Sequence, residues 1–293
     1  MRSAAGVPEQ LGLEGMPRRL FPATPSRLGA YSRCPRLYRL TYLVRPALPK
    51  GPPWAHNAVG AAVHNALREW WLLPVARRTP AAAGGLLDAG WIDDGFRDAA
   101  QSAVWRSRAR DWVEGYVSTL DPSDEPVGVE RQVAARTARL ALTGRVDRID
   151  ARGAELVIVD YKTGRSQPDQ DDARGSLALA VYALAAARTL RRACSRVELH
   201  HLPSGRVAGW EHTEDSLARH VARAEDTAED IVAATDTLDA GADPDDVFPP
   251  APGRHCAWCD YRRHCPEGRA AEPDRESWAG LPAETAGPGS MNV

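Results

Sequence analysis

Lysine is scarce in this sequence. Of 37 basic residues only Lys50 and Lys162 are lysines, and the others are arginines. Lys50 follows Pro49 and Lys162 follows Tyr161, so no Gly-Lys-[Ser/Thr] phosphate loop is present and a nucleotide-driven motor is excluded. No run of about 18 apolar residues occurs, so no membrane-spanning helix is expected. The first residues lack the apolar stretch of a secretory signal. Neither charge is in excess: 37 basic and 39 acidic side chains leave a net charge of −2 and a pI near 6.5, so any surface for nucleic acid has to be local. Internal repeats are absent. Cysteines number five, an odd count. Without a secretion signal they point to a reduced, cytoplasmic setting and to metal ligation over disulfides. What remains is a chain of 293 residues, 43% hydrophobic, long enough for one large domain or two small ones.

Against this background Lys162 stands out. It lies near the end of the stretch 140–164, LALTGRVDRIDARGAELVIVDYKTG, which reads as two β-strands joined by a tight turn. Alternation puts Asp160 and Lys162 on one face, about 6.6–6.8 Å apart, together with Leu156 and Ile158. Val157 and Val159 take the other face. A strand apolar on both faces is a buried strand, and charge at its end has to be paired or bind a metal. With the turn centred on Arg152-Gly153, Asp147 lies diagonal to Asp160 at about 7–8 Å, from which two carboxylates can converge on one cation. A slip of one residue would turn Asp147 away. Such a pair suits a hard divalent ion, Mg2+ or Mn2+, which activates water and neutralises charge on phosphorus. A lysine alongside, as a compact point charge, can orient that water or stabilise the transition state. The combination points to phosphodiester hydrolysis. An ordinary hairpin with a surface ion pair would use the same residues.

The rest of the chain falls into segments. Residues 1–23 read as a loose tail, and Thr24-Pro25-Ser26 as a helix start. Between Pro17 and Arg45 there are seven arginines and no acid, interleaved with Tyr31, Tyr38 and Tyr42 and interrupted at Cys34-Pro35. Arginines with aromatics suit a single-stranded nucleic-acid path, with Arg33, Arg36 and Arg39 as candidate contacts. A helix with its tyrosines in the core and its arginines in water fits equally. Residues 57–73 form a helix whose stripe is Val59, Val63, Ala66 and Trp70. His64 flanks that stripe, with Gly60 one turn earlier. Residues 75–100 read as irregular to weakly helical, with breaks at Pro80 and Gly84-Gly85. Residues 99–120 read as a helix with a stripe of Val104, Ala109, Trp112 and Tyr116. Residues 127–133 read as the first strand, with Glu130 on the surface.

After the central hairpin come a polar loop (166–175), an alanine-rich helix (176–193), a second hairpin turning at Ser204-Gly205, and a charged, solvent-facing helix (213–238). Cys194 reads as a small buried residue. Cys256-x2-Cys259-x5-Cys265 puts three cysteines in ten residues, one ligand short of a closed site. His255 or His264 would complete a Zn2+ site, or the distant Cys34 the set. Beyond Gly268, residues 269–293 read as a disordered tail.

Gly144, Asp147, Asp160, Lys162 and Gly164 resemble motifs II and III of the PD-(D/E)XK nuclease superfamily, and in particular its RecB-like branch with its CRISPR-associated exonuclease relatives. Thr24-Pro25-Ser26 with Cys34-Pro35-Arg36-Leu37-Tyr38 is similar to the opening of that branch, and Gly60-x-x-x-His64 to its motif I. Tyr182 matches the tyrosine of its Gln-x-x-x-Tyr motif, but Ala178 stands at the glutamine position. That family often has an acid where Glu130 falls. Cys34, Cys256, Cys259 and Cys265 match the branch's four-iron four-sulfur ligands in position and in their Cys-Pro contexts.

The resemblance spans residues 24–268. It implies a single α/β domain of restriction-endonuclease type, with a central mixed sheet flanked by helices and the two ends of the chain stapled by a 4Fe-4S cluster. It implies that His64, Asp147 and Asp160 hold Mg2+ or Mn2+, and that Lys162 and Tyr182 belong to the catalytic site. The implied activity is a DNA exonuclease favouring single strands or ends, in repair or recombination, alone or beside a separate helicase subunit. The alternative is a nucleic-acid-binding protein that keeps the fold and cluster but cleaves poorly, as the change at Ala178 would suit.

Overall fold

A computed structural model of the chain describes residues 20–281. It begins with strand β1 (Phe21–Ala23) and helix α1 (Pro25–Arg33). The Thr24 hydroxyl caps α1 by accepting from the Arg27 amide, and Pro25 occupies the first turn, where its missing N–H costs nothing. The interruption at Cys34-Pro35 separates α1 from α2 (Pro35–Tyr38), which continues as a π-helical turn over Arg39–Leu43. Then come α3 (Ala55–Leu72), α4 (Pro80–Ala89), α5 (Ala99–Val117), β2 (Gly128–Arg136), β3 (Leu140–Arg152) and β4 (Glu155–Lys162). They are followed by α6 (Gln170–Gly175), α7 (Leu177–Leu190), β5 (Cys194–His201), β6 (Arg206–Glu211), α8 (Glu214–Asp239), α9 (Pro244–Val247) and α10 (Pro266–Ala271).

The strands form one mixed sheet in the order β1-β3-β4-β5-β6, with β2 also on β3. One face carries α1, α2, α7 and α8 through Leu28, Tyr38, Leu179, Ala224 and Ile231. The other carries α3, α4 and α5 through Val63, Trp70, Leu87, Trp105 and Ala109. β4 shows why it sits centrally. Leu156 and Ile158 enter the first layer and Val157 and Val159 the second, all at most 2% exposed. Burying each such side chain contributes about 1.5–3 kcal/mol, which fixes the strand whose end bears Asp160 and Lys162.

β3 is the branching element. It pairs with β2 along most of its length. Along its other edge it pairs with β1 at residues 140–142 and with β4 at residues 148–152. Residues 143–147 of that edge have no strand beside them, and β4 diverges past Val159. The turn is Gly153-Ala154, with Gly153 in the left-handed region at φ +59°. This differs by one residue from the expected centre. Moving a turn centre by one residue moves each pairing partner by two, so the faces are preserved. In the continued register Asp147 stands directly opposite Asp160, not diagonal to it.

Several expected segments differ. Residues 80–89 are a regular helix despite Gly84-Gly85; Gly84 lets α5 lie so close that a Cβ there would collide with the Glu114 and Arg110 side chains. The α5 stripe is Trp105, Ala109, Val113 and Tyr116, leaving Val104 39% exposed. Helix α8 buries Ala224, Ala228 and Ile231 on the side it packs against α1 and α7. Phe21–Ala23, expected in a tail, extend the sheet; residues 1–19 lie outside the described residues.

Residues 269–281, also expected in a tail, are held against the body. The Ser277 carbonyl accepts from the Ala55 amide at 3.0 Å, satisfying an orphan donor at the start of α3, which lacks a side-chain cap. Leu281 is buried and Trp278 partly so. Residues 282–293 lie outside the described residues. No helix among the described residues is long and apolar enough to cross a membrane.

Candidate active site and cysteine pocket

The gap in the β3 edge is where charged residues collect. Asp147 sits at the point where the β3–β4 ladder stops. Its carboxylate replaces the missing backbone partner by accepting from the Tyr161 amide at 2.9 Å. α3 places His64 Nδ1 3.4 Å from the same oxygen, Asp147 Oδ2. β2 contributes Glu130, which skips its turn in the ladder between Val129↔Arg148 and Arg131↔Val146. Its φ of +47° costs a residue other than glycine about 1–3 kcal/mol and turns it out of the strand's regular alternation. His64, Glu130 and Asp147 each present a ligand atom, all within 4.8 Å of one another. Glu130, expected on the surface, is therefore part of the cluster. Its one sequence signal was position relative to the family pattern, because alternation cannot foresee a left-handed residue inside a strand.

Asp160 and Lys162 share a face as expected, with Asp160 Oδ2 2.5 Å from Lys162 Nζ. Tyr161 between them faces the other layer, where its hydroxyl lies 3.4 Å from Arg148 Nη1 and 3.4 Å from Trp71 Nε1. Tyr182, on α7, lies against Gly144 so closely that a Cβ at 144 would collide with its ring. Ala178, where the family has glutamine, is one turn earlier on α7.

The electrostatics follow from crowding acids in a half-buried crevice. Burial raises the Asp160 pKa, as does Asp147, while Lys162 and His64 pull it down. Burial and Asp147 raise the Glu130 pKa above the usual carboxylate range. Burial disfavours a charged His64, yet Asp147, Asp160 and Glu130 outweigh that and raise its pKa. The Tyr182 phenol is pushed up to about 12 by burial and by Asp160, Asp147 and Glu130. Two carboxylates with one imidazole, Glu130, Asp147 and His64, form a donor set that fits a hard divalent cation; Asp160, expected as a ligand, is paired with Lys162 and is not among these converging atoms.

The second constellation joins the ends of the chain. Cys34, between α1 and α2, lines one cavity with Cys256, Cys259 and Cys265. The Ala251 amide donates to Cys34 Sγ at 3.4 Å, and the Gly268 amide to Cys265 Sγ at 3.4 Å. Among the described residues, no three of these sulfurs lie within 4.8 Å of one another. His255 lines the cavity. His264 does not, and its Nε2 lies 3.0 Å from the Pro49 carbonyl oxygen.

The arginine surface expected on α1 and α2 is not formed by two of its three residues. Arg36 is 6% exposed. It pairs with Glu267 at 2.5 Å and with Asp245 at 3.4 Å, and donates to Cys265 Sγ at 3.7 Å. Arg39 pairs with Asp245 at 2.7 Å. Only Arg33 of the three is exposed. The tyrosines belong to the core: Tyr38 is fully buried and stacks on Phe248, and Tyr31 and Tyr42 pack beside it. The break at Cys34-Pro35 turns these side chains inward, so the stretch clamps the cysteine segment.

No curated protein matches the chain. A family model of the PD-(D/E)XK nuclease superfamily matches residues 22–266, which include the crevice and all four cavity cysteines. With that match over most of its length, a mixed sheet flanked by helices, and Asp147, Asp160 and Lys162 at the split between its two central strands, the chain belongs to the PD-(D/E)XK nuclease superfamily.

Proposed function

We propose that the protein is a divalent-metal-dependent deoxyribonuclease, acting as an exonuclease on single-stranded DNA or DNA ends in repair or recombination. The observation that carries this is the meeting of His64, Glu130 and Asp147 beside the Asp160–Lys162 pair. His64, Asp147 and Asp160, with Glu130 added, would hold Mg2+ or Mn2+. A bound ion there supplies an acidified water and neutralises charge developing on the phosphoryl oxygens. Lys162 places its side-chain nitrogen at the crevice, where it orients the attacking water or stabilises the transition state. Asp160 holds that ammonium in place. Tyr182 closes the crevice over Gly144 and keeps its proton at neutral pH, so it is available as a hydrogen-bond donor. The single-strand and exonuclease preferences rest on the likeness to the RecB-like branch. The lack of a phosphate loop suits work alone or beside a separate helicase subunit.

For the cysteine cavity we propose a 4Fe-4S cluster held by Cys34, Cys256, Cys259 and Cys265. Four sulfurs on one cavity support it, and so do the amide donors to Cys34 and Cys265, since hydrogen bonds to sulfur are a regular feature of such sites. The cluster would tie the chain ends together, a structural role that Arg36 supports from the side.

A second reading, a DNA-binding protein without cleavage, is favoured by Ala178. One experiment separates the two. Protein purified without oxygen is incubated with end-labelled single- and double-stranded DNA, with and without Mg2+ or Mn2+, beside Asp160→Ala. Metal-dependent cleavage abolished by Asp160→Ala supports the nuclease. Equal cleavage by the variant removes the proposed site, and binding without cleavage under any divalent ion gives the second reading its place.

A further inference from the structure

Beside Lys162, on the α3/α5 side of the sheet, lies a cavity of about 580 Å³ whose tryptophans and Arg165 have no part in the site chemistry above. α5 supplies two tryptophans two turns apart, Trp105 and Trp112, whose rings meet edge-to-face at 5.9 Å. Trp105 is buried, whereas Trp112 is only partly so and offers an accessible ring. The end of β4 and the loop after it supply Lys162, Thr163 and Arg165; α3 supplies Asn57 and Gly60. A Cβ at Gly60 would stand 3.3 Å from Thr163 Oγ1, so the helix approaches the strand end closely there. Among the described residues no carboxylate lines the cavity and Arg165 forms no ion pair, while Lys162 is paired with Asp160. Gly60 is one helical turn, about 5.4 Å, from His64 of the carboxylate cluster.

An apolar aromatic wall, Arg165 without an ion pair at the rim and Lys162 held there by Asp160 fit a flat heterocycle carrying a phosphate. The volume suits a ligand of nucleotide size. We propose that this cavity holds the unstacked base of the nucleotide next to the scissile phosphate, with Trp112 as the stacking surface and Lys162 and Arg165 toward the flanking phosphates. The proposal rests on the nuclease reading and deepens it, because a base can enter only from an unpaired strand. The cavity would thus select single strands or frayed ends.

The test uses the full-length protein and a short single-stranded oligonucleotide in which an abasic site replaces each base in turn. With Mn2+, kcat/KM for the wild type should fall about 5- to 150-fold when the abasic site flanks the cleaved bond at one defined position, the range that loss of one base–aromatic stack produces. Trp112→Ala should lose a similar factor on intact DNA and become indifferent to the abasic site, while Trp112→Phe retains most of the discrimination. A purely structural Trp112 would slow intact and abasic substrates by the same factor, and that result overturns the proposal. So does a wild type with no position-specific penalty, a reading that needs no variant to fold. If the wild type cleaves nothing, the nuclease reading falls, and fluorescence anisotropy without metal still decides the cavity. There an abasic site must weaken binding to the wild type but not to Trp112→Ala, and equal weakening of both rejects it.

Discussion

Gly144→Ala should do measurable harm through one side chain. A methyl group at 144 would collide with the Tyr182 ring, so the ring or β3 must move. Overpacking of this kind costs about 1–3 kcal/mol. For a domain of this size that corresponds to a fall in Tm of about 2–12 °C. Removing the ring should reverse the sign. With Tyr182→Ala in place the collision is gone, and alanine in a strand is better than glycine by about 0.5–1 kcal/mol. The coupling between the two substitutions is therefore expected at about 1.5–4 kcal/mol, from the middle of the usual range for residues in contact to just above it. Thermal or urea unfolding of the two single variants, the double variant and the wild type measures it. If Gly144→Ala destabilises the Tyr182→Ala protein as much as the wild type, the ring does not rest on that glycine. The crevice would then be built differently. Cleavage is expected to drop in Gly144→Ala as well, because the displaced ring lies over the proposed metal site.

Lys162→Arg keeps the charge but spreads it over a planar fork that cannot take the ammonium's place, so its kcat should fall about 10²–10³-fold, nearly as far as for Lys162→Ala; activity close to wild type would remove the lysine from the chemistry. Protein purified without oxygen is expected to be brown with about four irons per chain. Cys34→Ser should lose iron and solubility together, and a colourless protein holding one zinc and indifferent to Cys34→Ser would contradict the cluster. Arg36→Met should weaken iron retention with little change in DNA affinity or its salt dependence, because the residue is committed to Glu267, Asp245 and Cys265; a clear loss of salt-dependent DNA binding would return it to the nucleic-acid surface. His64 has a raised pKa in the folded protein, so without metal it should stabilise the fold fully below its ordinary value of 6.5 and lose that contribution as pH rises through the higher folded value. The stability difference between the wild type and His64→Gln should accordingly shrink as pH rises above 6.5, and a difference that grows with pH would reverse the assignment.

Local periodicity determined much of what this chain becomes. Alternation along 155–162 put Asp160 and Lys162 on one face and the valines on the other, because a strand's side chains can only alternate. The stripe of Val59, Val63, Ala66 and Trp70 oriented α3, and with it His64, since helical spacing is equally fixed. Cysteine spacing and the Cys-Pro contexts announced the second constellation before any contact was visible. Tertiary structure decided the rest. Glu130 enters the site through a left-handed backbone that no alternation pattern encodes. Gly84-Gly85, a break by local rules, lies within a helix, with α5 packed into the space a side chain at Gly84 would fill. Arg36 reads locally as part of a basic stripe, yet it is spent on Glu267, 231 residues away, which only the folded chain brings near. Residues 269–281, polar enough to read as a tail, are held because α3 begins with an uncapped amide that the Ser277 carbonyl satisfies. Sequence patterns report short-range geometry; which distant group ends up beside a given charge or donor is determined by packing alone.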